Sequence, residues 1–381
     1  MAEVTISPRQ LTRIAQEVGH QLETCRDQQV QQLQDQQLVA TVATRPALAV
    51  VQVDGGRLQI RGAGAGPGAH DPSWREDKVS LLATATLKKA ETDPEPELPA
   101  CFRDSKYMEK LAREIGGVGP LGATDAPPEH RADATPATTP KQEADARTKR
   151  APEFWVRTYV ASTCDSETFG PMVAAEARKR NFLAAARGAF VGDGAAWIWK
   201  LQRQYFPGFE AIVDFLHVLS HVFAGARAAV AEPSGRWALF LEWAEACWQG
   251  EVAPVMERLR GFRERLGVSS AEELEGVPAD DPRKVLAETL GYLDHNQHRM
   301  DYPRYRREGL PITSSHMEST VKRFNRRVKG TEKFWGPEGA EAILQLRAAF
   351  LSEDGRLDDH HRNQPCSPFR TYKTREDTKA A

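Results

Sequence analysis

Three acidic residues stand where a metal-dependent phosphoryl-transfer site would need them. Asp54 closes an apolar run and precedes Gly-Gly, Asp193 lies inside Gly-Asp-Gly after a second apolar run, and Glu318 falls early in an amphipathic segment. A carboxylate at a strand end is held rigidly, and flanking glycines let backbone or substrate approach without a Cβ in the way. Hard oxygen donors of this kind suit magnesium, with manganese as a substitute. Two such ions about 3.5 to 4 Å apart activate an attacking oxygen and stabilise a leaving one at phosphorus. Each residue alone has a plainer reading. Asp-Gly is a common turn dipeptide, and Glu318 shares a helix face with Lys322, Asn325 and Lys329 that could simply be solvated.

A second group, Asp214, His217 and His221, lies in VDFLHVLSH. HxxxH without the glutamate of HExxH makes zinc the lesser reading. Asp214 and His217 are instead expected to flank the site and orient a ligand or touch a phosphate, with Asp214 in reserve as a metal ligand. Between Arg299 and Lys329 nine Lys or Arg face three acidic residues, a local excess of six positive charges. A nucleic-acid backbone is the natural partner for such a patch, through Arg306, Arg307, Lys322, Arg323, Arg326, Arg327 and Lys329. Tyr302 and Tyr305 within it could stack on a splayed base, although packing onto a core is the commoner use.

The elements that must carry these residues follow from pattern. PALAVVQVDGGRLQIRG reads as a strand, a tight turn at Asp-Gly-Gly and a second strand. DKVSLLATATL and FWVRTYVAST suit further strands. FGPMVAAEARKR reads as a helix, AFVGDG as a buried strand with a tight turn, AAWIWKLQRQYF as an aromatic helix with Trp197, Trp199 and Phe206 chiefly in the core, and EAIVDF as a short strand. Strand and helix thus alternate as in a mixed or parallel sheet. From His217 to Met300 only helical spacing is visible. Met317, Val321, Phe324 and Val328 then line one face of a helix that Ser314 or Ser315 could cap.

Composition sets the limits. With 381 residues, 40% hydrophobic and 27% charged, the chain is long enough for a large α/β core with an insertion. No apolar run approaches the roughly 18 residues that a membrane span needs. The N-terminus carries no secretion pattern, so a cytoplasmic protein with no membrane partner is expected. Five scattered cysteines without a CxxC pair suggest neither a disulfide framework nor structural zinc. A net charge of −2 excludes a uniformly basic coat but not a clustered one.

In order, GDGAAWIW, FPGFEAIVDFLH and YRREGLPITSSHMESTVKRFNRRVKGTEKFWGPEGAEAILQLRAAFLS resemble the ISKra group of insertion-sequence transposases, related to the Mutator-like DDE enzymes. The resemblance spans roughly residues 46 to 352 without the low-complexity stretch, and is most specific where GLPI, Glu-Ser, RVKG and FW recur together. It implies an RNase H-like mixed sheet with an all-helical insertion before the catalytic glutamate helix, and Asp54, Asp193 and Glu318 as the triad binding two magnesium ions. It further implies hydrolysis at the ends of a mobile element, attack of the freed 3′ hydroxyl on target DNA, and a homodimer or larger assembly on DNA. The chain departs from the pattern in two respects. No helix-turn-helix or cysteine-rich finger precedes Asp54, and residues 116 to 150 are an extra stretch.

The expected organisation is an N-terminal helical segment at 1–45, core at 46–115, a disordered linker at 116–152, core at 153–221, a helical insertion at 222–300, the glutamate helix and its successor at 301–352, and a tail at 353–381. Two other functions fit the same residues: a structure-selective nuclease of the same fold, and a non-catalytic DNA-binding relic of a transposase. Residues 116 to 150 are nearly free of large apolar side chains, so they offer little surface to bury. Limited proteolysis is expected to cut there first, and protection of that stretch with cutting elsewhere would refute the linker.

Overall fold

The computed structural model describes residues 6–61, 74–115, 151–267, 274–314, 324 and 335–364. It is a mixed α/β protein with one five-stranded mixed sheet. The strands are β1 (Leu48–Gln59), β2 (Trp74–Ala85), β3 (Phe154–Ser162), β4 (Arg187–Gly192) and β5 (Glu210–Val213), ordered β3-β2-β1-β4-β5. The chain divides into two compact units, one of residues 1–85, 154–186 and 319–381, the other of 86–153 and 187–318. Among the described residues no helix is long and apolar enough to cross a membrane. Residues 116–150 and the Glu318 segment at 315–323 lie outside the described residues.

In the first unit β2 pairs antiparallel with both β1 and β3. The expected turn at Asp-Gly-Gly is absent. β1 runs unbroken through it, with Asp54 opposite Val79, Gly55 opposite Lys78 and Gly56 opposite Asp77. The two glycines serve close approach rather than reversal, since a Cβ on Gly56 would come within 2.7 Å of Asp77 Oδ1. Asp54 therefore sits within a strand and not at its end.

Helix α1 (Pro8–Gln34) begins with a capping box between Ser7 and Gln10 and a proline in its first turn. It packs on α10 (Pro337–Leu351) and α3 (Ser166–Lys179). Glu341 of α10 fastens that junction. Its Oε2 accepts from Thr163 N (2.8 Å) and Oγ1 (3.0 Å), and its Oε1 accepts from Arg26 of α1.

Two buried charges of this unit, Arg180 and Glu176, have partners on neighbouring elements. Arg180 Nη1 donates to Leu82 O (2.6 Å) and Thr158 Oγ1 (3.0 Å), and Nη2 donates to Val156 O (2.9 Å), so one guanidinium spans β2 and β3. Glu176 is buried, which opposes its charge. The Arg356 and Lys179 cations and the hydrogen bonds from Arg356 and Thr158 outweigh that and bring its carboxyl down to about 2.

The second unit holds the parallel pair β4–β5 and most of the helices. Helix α4 (Ala196–Tyr205) follows β4, and α5 (Phe215–Ala229) follows β5. Then come α6 (Pro233–Trp248), α7 (Val252–Arg265), α8 (Pro282–Asn296) and α9 (Tyr302–Glu308). Glu232, Asp281 and Asp301 cap α6, α8 and α9, each with a proline in the first turn. Phe215 centres the core, with ring centroids 4.9 Å from Trp248, 5.0 Å from Tyr302 and 5.8 Å from Phe102. Its burial contributes about 1.5 to 3 kcal/mol.

Glu176 sets an acid limit on stability. Its folded pKa lies below the unfolded value, so the contribution is full above about 4.5 and is lost as pH falls towards about 2. Acid titration of the unfolding free energy should show a loss approaching about 3 kcal/mol from this group over that window. Glu176→Gln should flatten that limb while lowering stability at neutral pH, and an unchanged acid limb would contradict the assignment.

Candidate active site

Asp193 and Asp214 follow directly on neighbouring parallel strands. Gly192 of β4 is in register with Val213 of β5, and Asp214 N donates to Gly192 O (2.8 Å), so both carboxylates belong to the C-terminal edge of that pair. The edge of a parallel pair is a common location for ligand-binding groups, because loops leave the strands there.

The two aspartates are bonded very differently. Asp214 is fully buried, and each of its oxygens has two donors. Oδ1 accepts from Ser314 N (2.7 Å) and Leu216 N (3.3 Å), and Oδ2 accepts from Ser314 Oγ (2.8 Å) and bonds His217 Nδ1 (2.6 Å). Asp193 is half-buried. Its Oδ1 accepts from Ala195 N (2.7 Å), and among the described residues Oδ2 accepts no hydrogen bond. Asp193 Oδ2 thus has no donor among the described residues, whereas both oxygens of Asp214, the expected reserve ligand, are occupied by donors from its neighbours.

Asp214 does orient two of them. An acceptor-only carboxylate requires His217 Nδ1 to carry the proton, which leaves the imidazole lone pair at Nε2. It also holds Ser314, four positions before Glu318, and Phe215 N adds a backbone bond to Ile312 O (3.0 Å). The Ser314 hydroxyl is therefore a donor to Asp214.

His221 does not join His217 as a ligand pair. Its ring stacks on Tyr292 at 3.7 Å and 16°, and its Nδ1 is buried without a partner. Burial first, then the nearby His217, lowers it to about 3, so it is neutral. Among the described residues no three His, Cys, Asp or Glu side chains gather into a group that could hold a metal ion. Asp54 lies half-buried in the first unit, with Oδ1 accepting from Gly55 N (2.7 Å). Glu318 is outside the described residues. No family model matches the chain, and no curated protein matches it.

The basic patch is partly consumed inside the second unit. Arg306 is buried, paired with Asp93, donates to Trp248 O and lies 4.2 Å over the Trp248 ring. That geometry contradicts its expected contact with phosphate. Arg304 bridges Glu210, Asp301 and Glu308, and Arg187 joins Glu210 and Glu308. Arg307 is half-buried, and its carbonyl accepts from Ala90 N (2.8 Å). Lys322, Arg323, Arg326, Arg327 and Lys329 lie outside the described residues. Tyr302 and Tyr305 are fully buried, with Tyr302 Oη donating to Val213 O (3.0 Å), so neither presents a face to a base.

Sequence pattern gave no sign of Tyr292 or Asn296. Both come from α8, and Tyr292 Oη donates to the Asp193 carbonyl (2.8 Å). Their contacts span about a hundred residues, and no local spacing encodes that.

Replacing Asp214 tests its structural role directly. Asp214→Asn puts an NH₂ where one oxygen accepts two donors, so it should cost about 2 to 3 kcal/mol in denaturant unfolding. In the parent protein nitrogen-15 spectra of His217 should show the proton on Nδ1. A predominant Nε2–H tautomer there would overturn the bond to Asp214.

Proposed function

We propose that the chain is a DDE transposase of RNase H-like fold, cutting the ends of an insertion sequence and joining them to target DNA. The observation that carries this reading is the open carboxylate of Asp193 at the C-terminal edge of β4–β5, beside an Asp214 that pins Ser314 just ahead of Glu318. A mixed sheet followed by the long helical stretch from α5 to α9, read as the insertion, is in keeping with it.

The donor chemistry fits a hard divalent cation. Asp54, Asp193 and Glu318 offer carboxylate oxygens only, and of these Asp193 has one oxygen without a hydrogen bond among the described residues. In this reading those three residues hold two magnesium ions, or manganese in their place. When bound, the ions activate the attacking oxygen and stabilise the leaving oxygen of an in-line displacement at phosphorus. In this reading His217, with its tautomer set by Asp214, flanks the site and touches the scissile phosphate as a donor when its ring is protonated. Residues 322–329 carry the cations that neutralise the DNA backbone. The enzyme works in the cytoplasm as a homodimer or larger assembly on paired ends.

The test is an end-cleavage and strand-transfer assay with the full chain, magnesium and DNA from the flanks of its own gene. Asp54→Asn, Asp193→Asn and Glu318→Gln should each lower cleavage on the order of 10²-fold or more while the protein stays folded and binds DNA. Cleavage without strand transfer would favour the structure-selective nuclease, DNA binding without cleavage the relic, and full cleavage by the Asp193→Asn protein would remove the mechanism.

A further inference from the structure

We propose that Tyr292 is a positioning residue for Asp193, through which helix α8 fixes the direction of the open Asp193 oxygen. The inference rests on Asp193 being a metal ligand, and it deepens that reading by assigning a role to the helical part of the unit.

The turn after β4 is held at two points. Asp193 Oδ1 accepts from Ala195 N (2.7 Å), and the Asp193 carbonyl accepts from Tyr292 Oη (2.8 Å). Between them Gly194 has a φ of +108°, a conformation in which a side chain is strained. A Cβ there would also come within 2.6 Å of Tyr292 Cε2 and 3.0 Å of Asn296 Nδ2. The tyrosine ring therefore lies directly against the turn.

Tyr292 is itself held in place. His221 of α5 stacks on its ring, and Asn296 Nδ2 donates to the Tyr292 carbonyl (3.0 Å) while its Oδ1 accepts from Trp199 Nε1 (3.0 Å). Neutral His221 adds no charge beside the turn. The Asp193 carbonyl can only accept, so the Tyr292 phenol is the donor of the bond between them. A carbonyl tethered on one side and a carboxylate oxygen tethered on the other leave the peptide between residues 193 and 195 little freedom to swing. Partners that orient a metal ligand in this manner are commonly worth about 10- to 100-fold in metal affinity.

Manganese binding to the full chain, followed by the paramagnetic resonance signal of the free ion, reads this without any DNA cleavage. Tyr292→Phe keeps the ring against Gly194 and removes only the donor. It should weaken manganese about 10-fold or more, with DNA affinity in calcium unchanged and the melting temperature little changed. p-Aminophenylalanine placed at position 292 restores an N–H donor and should recover most of the loss, which a general weakening of the fold would not do. It also serves as the informative protein if the phenylalanine variant does not fold. Parent-like manganese affinity in Tyr292→Phe, alongside loss in Asp193→Asn, would overturn the positioning role alone. Manganese binding that is absent from the parent, or indifferent to Asp193→Asn, would overturn the metal reading of Asp193 and this inference with it.

Discussion

A carboxylate taken out of water must be surrounded by donors, or its burial costs several kcal/mol. The second unit meets that demand at Asp214 with groups from two places: Leu216 N and the His217 imidazole in the first turn of α5, and a serine 100 residues further along the chain. Because the donors come from separate segments, satisfying one carboxylate fixes the end of β5, the start of α5 and residues 312–314 as a set. Ile312 O accepting from Phe215 N strengthens the same junction, and the Phe215 ring then seeds the aromatic core with Trp248, Tyr302 and Phe102.

Charge in the second unit follows the same logic of internal matching. The local excess of six positive charges between residues 299 and 329 invites a phosphate partner when read along the chain, yet Arg306 is matched by Asp93, 213 positions away, and Arg304 by Glu210. Guanidinium groups already paired with carboxylates add little to the attraction of a polyanion at long range. Any outward field from this stretch rests chiefly on residues 322–329, where five cations, Lys322, Arg323, Arg326, Arg327 and Lys329, have no acidic neighbour in sequence closer than Glu318 and Glu332.

Elements with strong local patterning were legible in the sequence, and long-range commitments were not. The apolar stretches of β2, β3 and β4 and the helical spacing from α5 to α8 follow from local pattern alone. The Asp-Gly-Gly of β1 reads as a turn because those residues favour turns, but twelve consecutive cross-strand pairs with β2 outweigh that preference. Helix α1 shows no convincing apolar stripe because its buried position is Gly19, where small size rather than hydrophobicity permits packing on α10. The position of Asp193 after β4 was readable from Gly-Asp-Gly, whereas the fate of Arg306 and the approach of Tyr292 depend on partners far away in sequence.

Asp193 and Asp214 show why residue type and strand-end placement do not by themselves define a ligand. Both are aspartates one residue beyond neighbouring parallel strands. Four donors around Asp214 compensate its charge within the protein, so a cation would have to displace bonds that already hold three segments together. Among the described residues Asp193 has one backbone donor on its carboxylate and a second contact that reaches its carbonyl instead, which restrains the residue and leaves Oδ2 without a donor. The surrounding hydrogen bonds thus divide the pair into a residue whose carboxylate holds segments together and a residue whose carboxylate keeps one oxygen without a donor among the described residues.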